Sequence, residues 1–197
     1  MKQDIIKIFD DSAKLKVQFA KEYADTIAEV VSLIAKAFST GNKVLLFGNG
    51  GSASDASHIA GEFVNRFILE RPGLPAIALN TDAAVMTSIA NDYDFSEVFA
   101  RQVKALGQEG DVAIGISTSG TSPNVVKAIA AAKDLGIRTV VLTGNKNKGG
   151  KLAGMAEYAF VVPSSETPRI QEVHITLGHA ICQLVDEELF GTSSKKG

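Results

Sequence analysis

The first forty residues carry apolar side chains at helical spacing. From Tyr23 to Phe38 the apolar positions recur every three or four residues, which places them on one helix face. Gly41 follows this pattern, and a glycine just past the last turn is a common helix stop. We therefore predict a helix over residues 2–39.

Beyond Gly41, short apolar runs alternate with helical patterns. A long helix is predicted to close the chain at 168–190. Because the apolar runs have no polar face, they indicate strands of a parallel sheet with helices on both sides, an α/β fold. The predicted strands are 43–47, 76–79, 112–116, 139–142 and 159–162, and the helices between them are 52–66, 83–90, 95–106, 123–135 and 150–155.

Composition narrows the class of protein. The chain has 197 residues, of which 45% are hydrophobic and 21% are charged, so it is too apolar to be mainly disordered. Twenty basic and 22 acidic residues give a net charge of -2, so we expect neither a nucleic-acid partner nor a membrane partner. The single cysteine, Cys182, excludes an internal disulfide and a multi-cysteine metal cage.

No segment has the pattern of a signal peptide or the roughly 20 apolar residues of a membrane span, so we expect a cytoplasmic protein. For the domain organisation we expect a helical segment at 1–40, one compact unit at 41–191 and a frayed tail at 192–197.

A glycine-rich loop follows the first strand, at the edge of the sheet where open α/β folds bind ligands. It reads Gly-Asn-Gly-Gly-Ser over 48–52 and leads into a helix whose free N–H groups could face a ligand. Gly48, Gly50 and Ala53 fit a dinucleotide fingerprint, but the acidic residue it requires does not end the next strand. A P-loop is excluded, because the terminal Gly-Lys-Ser/Thr is missing. A tight turn without a ligand stays open.

A second polar loop follows the third strand, reading Ser-Thr-Ser-Gly-Thr-Ser-Pro over 117–123. Pro123 suits the first helical position and Ser122 the cap before it. Helix capping leaves Ser117, Thr118 and Ser119 unexplained. Hydroxyls clustered at a helix N-terminus form a neutral cradle for a phosphate dianion, and we predict that function here.

The three histidines have different surroundings in the pattern. His58 and Glu62 are four residues apart on one helix face, where they could hold a metal or substrate, or form an ordinary surface pair. His174 lies on the apolar stripe of the last helix and is expected to be a packed core residue. His179 shares the opposite face with Gln171, and periodicity leaves open whether it is a ligand or a general acid.

Taken together and in this order, these segments resemble the sugar isomerase (SIS) domain family, and within it the phosphoheptose isomerases. The resemblance covers nearly the whole chain. The Ser-Thr-Ser-Gly loop marks only the wider family, whereas the Arg-Ile-Gln-Glu-x-His stretch with His58, Glu62 and His179 is more specific. The matching stretches are 47–53 with Asp55 and His58, 81–82, 90–93, 99–103, 115–124 and 169–174.

The resemblance implies a five-stranded parallel sheet and a homotetramer whose helical segment 1–40 serves oligomerisation. It implies conversion of sedoheptulose 7-phosphate to D-glycero-D-manno-heptose 7-phosphate, the first step toward nucleotide-activated heptose, a lipopolysaccharide precursor. One zinc ion per active site is implied on His58, Glu62, Gln171 and His179. The implied substrate-binding residues are Asn49, Gly50, Gly51, Ser52, Glu62, Arg66, Asn91, Asp92, Ser117, Thr118, Ser119, Ser122 and Gln171.

Aldose–ketose isomerisation moves a proton between C1 and C2 of the open-chain sugar through an ene-diol. We expect Glu62 to be the base at carbon and His179 to relay a proton at oxygen, with zinc as Lewis acid. A non-catalytic SIS regulator that binds a protein partner, of the replication initiator-associating type, is the alternative. All four metal positions are present, which favours the enzyme. A further possibility is another SIS enzyme that acts on hexose phosphates.

The spacing on the last helix adds one expectation about subunits. Gln171 and His179 are eight residues apart, which is a rise of about 12 Å and a rotation of about 80°. Two side chains this far apart on one helix would both have to stretch along the helix axis to bind a single ion. The face that also carries Ile175 and Cys182 is expected to be an oligomer contact. We therefore predict active sites shared between subunits, with His179 reaching a neighbour's His58 and Glu62.

Overall fold

The fold alternates strands and helices after one long N-terminal helix. The computed structural model describes residues 1–145 and 148–191, so the predicted tail at 192–197 lies outside the described residues. The helices are α1 (Lys2–Ser39), α2 (Gly51–Val64), α3 (Ala83–Asp92), α4 (Val98–Leu106), α5 (Pro123–Asp134), α6 (Gly150–Ala153) and α7 (Thr167–Phe190). The strands are β1 (Val44–Gly48), β2 (Ala76–Ala78), β3 (Val112–Ser117), β4 (Arg138–Gly144) and β5 (Tyr158–Val162).

All five strands are parallel, in the order β2-β1-β3-β4-β5. Every residue of β1 and β3 is buried, because helices cover both faces of the sheet. One apolar core lies between the sheet and α1, α2 and α7, and the other lies between the sheet and α4 and α5. The predicted five-stranded α/β fold is confirmed.

The N-terminal helix is a single rod of 38 residues. Its second half buries the predicted face, including Val30, Ile34 and Phe38, and it packs along α7. Gly41 follows the last turn with a φ of 80°, a conformation that glycine adopts without strain. The first half buries few side chains, so Ile8 and Phe9 are exposed. The prediction of a helix over 2–39 is confirmed.

The C-terminal helix buries most of its predicted apolar stripe, including Val173 and Leu177. Leu184 continues the spacing of that stripe but is 39% exposed, whereas Cys182 on the opposite face is fully buried. The reason is that α7 packs against both α1 and α2, so its buried surface is wider than one stripe. Burial raises the pKa of the Cys182 thiol to about 12, which keeps it protonated.

His174 is a core residue, as predicted. It is completely buried, and its Nε2 lies 3.1 Å from the carbonyl oxygen of Thr143 at the end of β4. Because a carbonyl only accepts, Nε2 carries the proton and donates it. Burial lowers the pKa of His174 to about 4, so the ring is neutral near pH 7.

Other boundaries depart from the prediction by a few residues. The predicted helix 95–106 begins as a 3-10 turn over Phe95–Glu97, because the Asp94 carboxylate accepts the N–H of Ser96 and tightens the entry. Across residues 1–145 and 148–191, no helix combines the length and the apolar character that a bilayer crossing requires.

Candidate active site

Two loops meet where the strand order reverses. In the order β2-β1-β3-β4-β5, β2 lies on one side of β1, whereas β3 and the later strands lie on the other side. Ligands of such sheets bind at the point where the order changes direction. The side-chain amides of Asn49, after β1, and Asn124, at the start of α5, exchange two hydrogen bonds of 2.9 Å. This amide pair joins the two polar loops into one cleft wall. Asn124 lies in the matching stretch 115–124, and its pairing with Asn49 was not predicted from the sequence.

The glycine loop after β1 allows close backbone packing. A Cβ on Gly48 would lie 2.8 Å from the carbonyl oxygen of Ser52 and 2.9 Å from that of Ile116. Gly50 has a φ of 58°, which brings the chain directly into α2. The amide of Gln171 covers Gly51 and occupies the space that a side chain there would need. The glycine loop therefore packs closely against both β3 and α7.

The hydroxyl loop after β3 forms a connected cluster. Ser117 Oγ lies 2.9 Å from Ser122 Oγ and 3.4 Å from Ser119 Oγ. Ser119 Oγ also accepts from the N–H and the hydroxyl of Thr121, at 3.3 and 3.1 Å. Ser122 stands at the predicted cap position of α5, yet it makes no side-chain cap bond, because its hydroxyl pairs with Ser117. The result is a preformed group of hydroxyls at a helix N-terminus, which suits a phosphate.

Gly120 holds this loop against the start of α6. Its φ is 67°, and its backbone touches that of Gly149 so closely that no side chain fits between them. The N–H of Leu152 donates to the carbonyl of Gly120 at 3.0 Å. Backbone contacts with the start of α6 therefore hold the loop that carries the hydroxyl cluster in place.

Three possible metal ligands come together within one chain. His58 and Glu62 on α2 and His179 on α7 offer ligand atoms that all lie within 4.8 Å of one another. His58 Nε2 is 3.0 Å from Glu62 Oε1 and 3.4 Å from His179 Nε2. Two nitrogens bound to a tetrahedral zinc at their usual distance would be about 3.3 Å apart. Two imidazoles and a carboxylate at this spacing fit a divalent metal such as zinc.

The prediction that His179 reaches a neighbouring subunit's His58 and Glu62 is therefore wrong. The physical reason is the packing of α7 along α2 inside the same chain. A Cβ on Gly178 would lie 2.5 Å from the side chain of Ile59, so this glycine allows the two helices to approach. The face of α7 that we predicted to be an oligomer contact is largely used within the chain.

A buried ion pair fixes the same two helices. The side chains of Arg71 and Asp186 are each 1% exposed, with Nε and Oδ1 2.8 Å apart. Arg71 also donates to the carbonyls of Glu62 and Phe63 at 3.0 and 2.7 Å, at the end of α2. Because Asp186 belongs to α7, this pair ties the helix that carries Glu62 to the helix that carries His179.

Gln171 contacts the first residue of α2, about two turns before His58. It covers Gly51, which is seven residues before His58, or about 10 Å along α2. The two helices run in the same direction, because Gly51 contacts Gln171 near their starts and His58 contacts His179 further along. Gln171 thus contacts the glycine loop 48–52. Its role as a metal ligand stays a prediction.

Comparison with known proteins agrees with this geometry. The SIS domain family model matches residues 8–144, more than half of the chain. The chain belongs to the SIS domain family. A phosphoheptose isomerase from Thermodesulfovibrio yellowstonii is 59% identical over 98% of this chain and 94% of its own length. One from Aquifex aeolicus is 56% identical over 95% and 97%. The structure of a phosphoheptose isomerase from Neisseria gonorrhoeae matches with a TM-score of 0.87 and 39% identity, over 94% of this chain and 98% of that one.

Three further residues predicted to bind substrate lie on the surface of this SIS chain. Arg66 is exposed and pairs with Glu70, with nitrogen and oxygen 3.3 Å apart. Asn91 and Asp92 end α3, where the Asn91 amide donates to the Asp92 carboxylate at 2.9 Å. Each of these polar contacts is local to its own segment. In the single chain these three side chains are therefore exposed and have no polar contact with another segment among those described.

One carboxyl beside the grouped ligands has an altered pKa. Asp55 is on α2, one turn before His58, and burial raises the pKa of its side chain. Within the described residues its buried Oδ2 has no hydrogen-bond partner. The sequence motif included Asp55, but it indicated no role for the residue.

Proposed function

We propose that this chain is a phosphoheptose isomerase, which converts sedoheptulose 7-phosphate to D-glycero-D-manno-heptose 7-phosphate. The observation that carries the proposal is that one chain holds both a cluster of hydroxyls suited to a phosphate at the start of α5 and the ligand group His58, Glu62 and His179. Relatives of this name at 56–59% identity over almost the whole chain support the same reaction.

The phosphate is proposed to bind at the hydroxyl loop. Ser117, Ser119 and Ser122 offer hydroxyl donors at the start of α5, whose helix dipole favours an anion. The loop 49–52 is joined to this loop by the amide pair of Asn49 and Asn124. Binding there is remote from the reacting carbons, so its energy serves to hold the open chain in position for proton transfer.

The chemistry is a proton shift with no net oxidation of the sugar. Glu62 takes a proton from C1 of the ketose, and the C–H electrons form the C1–C2 double bond of the ene-diol. His179 moves a proton from the C1 oxygen to the C2 oxygen, which becomes a hydroxyl. Glu62 then returns its proton to C2, and C1 becomes the aldehyde.

We propose one zinc ion per active site, held by His58, Glu62 and His179, with Gln171 as a fourth ligand or a sugar contact. Such an ion would supply Lewis-acid polarisation of the sugar oxygens. Support comes from the grouping of the three ligand atoms and from the 3.4 Å between the His58 and His179 nitrogens, which is close to the spacing of two ligands on a tetrahedral zinc. Glu62 has two carboxylate oxygens, so one can face the ligand group while the other faces the substrate carbon.

We also propose a cytoplasmic homotetramer in which active sites are completed by neighbouring subunits. Residues 1–40 would be the oligomerisation segment and 41–191 the compact catalytic unit. Support comes from the exposed apolar side chains at the start of α1, where Phe9 is 72% exposed. Arg66, Asn91 and Asp92 are exposed in their own chain and would contribute to a neighbour's active site.

The direct test follows sedoheptulose 7-phosphate by carbon-13 NMR in D₂O. We expect the aldose product, with deuterium at C2 from exchange at the ene-diol stage. Glu62→Gln should lower kcat by about 10²-fold or more, because it removes the base but keeps the shape. Glu109→Gln, which changes an exposed carboxylate, is the matched control and should keep full activity. Absence of turnover by the parent protein, or a Glu62→Gln effect confined to KM, would refute the assignment.

Mixed oligomers test the shared site. Glu62→Gln and His179→Ala, refolded together, should remain inactive, because both residues belong to the same chain's ligand group. Glu62→Gln mixed with Arg66→Ala should recover part of the activity, since some sites would then carry both native residues. If verified mixed oligomers of the second pair stay inactive, Arg66 does not act across a subunit boundary.

A further inference from the structure

The imidazole of His179 has two aromatic neighbours. The ring of His58 meets it edge-on, with centroids 4.9 Å apart and planes at 72°. The ring of Phe67 stacks on it, with centroids 5.4 Å apart and planes at 27°. His58 already belongs to the proposed metal site, whereas Phe67 carries no role in the function proposed above.

Phe67 is held in place by the same elements that carry the ligands. It comes three residues after α2 ends, and it is partly buried against the core under α1, α2 and α7. Its neighbours Arg66 and Ile68 are exposed. Arg71, a few residues later, bonds to the end of α2 and to Asp186 of α7, which fixes the segment between them. The phenyl ring therefore keeps a defined position relative to His179.

A metal-binding imidazole requires a fixed ring plane, because its nitrogen lone pair points along that plane. The torsion that rotates a histidine ring is broad and roughly two-fold, so the backbone of α7 alone does not set it. Stacking on a flat ring restricts this rotation. In the present geometry the stacked plane directs His179 Nε2 to within 3.4 Å of His58 Nε2.

We propose that Phe67 is a positioning residue, whose ring holds the imidazole of His179 in the plane required for metal binding. This inference rests on the metal site proposed above. Phe67 itself offers no ligand atom. Its removal should act through the orientation of His179, as outer contacts of metal-binding histidines do, and weaken metal binding about 10–100-fold.

The test is a Co²⁺ titration of full-length protein that has first been treated with chelator. The visible absorption of bound Co²⁺ reports both affinity and coordination geometry. Phe67→Leu should weaken binding at least about tenfold and alter the spectrum. Phe67→Tyr keeps the flat ring and should retain the parent spectrum and affinity. Ile68→Ala, an exposed neighbour, is the matched control and should behave as the parent does. Phe67→Met replaces Phe67→Leu if the leucine protein does not fold.

The outcomes separate this inference from the function on which it rests. If the parent binds Co²⁺ and Phe67→Leu binds it with the same affinity and spectrum, the role of Phe67 is refuted while the metal site stands. Equal losses in Phe67→Leu, Phe67→Tyr and Ile68→Ala would mean a general effect of the segment and would also refute it. If the parent binds no divalent metal, the metal site and the role of Phe67 both fall, whereas turnover of the sugar phosphate is still measured independently.

Discussion

His174 should make the stability of this protein depend on pH between about 4 and 6.5. The ring is completely buried and neutral, and burial lowers its pKa from 6.5 to about 4. As the pH falls through 6.5, the histidine of the unfolded chain gains a proton that the folded chain does not accept. The folded state therefore loses stability as the pH falls, and this loss stops near pH 4, where the folded protein also binds the proton.

The size of the effect follows from the shift. One pKa unit corresponds to about 1.4 kcal/mol, so a shift from 6.5 to about 4 amounts to about 3 kcal/mol. This is a large part of the free energy of unfolding of a typical protein, which is about 5–15 kcal/mol. His174→Gln removes the titrating group and keeps an N–H donor for the carbonyl of Thr143, so it should abolish this part of the pH dependence.

Urea unfolding at several pH values measures this slope. Parent, His174→Gln and Ile181→Val proteins are compared at one protein concentration, with chelator present so that metal release does not contribute. Ile181→Val lowers stability by about 1 kcal/mol through packing alone and should leave the slope unchanged. Between pH 6.5 and 4 the His174→Gln protein should lose less stability than the parent. Equal slopes in all three proteins would refute the assignment to His174.

Three other changes test the supports of the site. Arg71→Met should lower the free energy of unfolding by about 3–5 kcal/mol, measured by urea titration, because it leaves the buried Asp186 carboxylate unpaired. Ser119→Ala should mainly raise KM in the isomerase assay, since it removes a phosphate contact that is present before and during the reaction. Gly178→Ala should push α7 from Ile59 and weaken Co²⁺ binding measured by titration, and unchanged binding would contradict the packing argument.

The fold was predictable because burial on both sides leaves a simple signal in the sequence. Runs such as 112–116 are apolar at every position, since helices cover both faces of the sheet. The two binding loops were predictable for a related reason. They directly follow such runs, and parallel strands end at one edge. Boundaries at 95–98 were less predictable, because a local Asp94 hydrogen bond decides them.

Periodicity alone does not predict which helix or subunit packs against a given helix face. The spacing showed that His179 lies opposite the apolar stripe of α7, but not whether that face meets another subunit or another helix of the same chain. Gly178 decides the matter, because its missing side chain allows α2 to approach. In the sequence it is one of 18 glycines and lies inside a helix pattern, where it carries no distinguishing signal. Phe67 was likewise indistinguishable from an ordinary apolar residue.

The eight-residue interval between Gln171 and His179 has a different meaning in the structure than in the sequence. We treated it as an obstacle, because both residues were expected to reach one ion from one helix. In the structure α7 runs parallel to α2, and the interval matches the seven residues between Gly51 and His58. The two contacts are thus about 10 Å apart along the helix pair. Such a separation would let Gln171 contact a different part of the proposed substrate than His179 does, so the two residues need not share one ion.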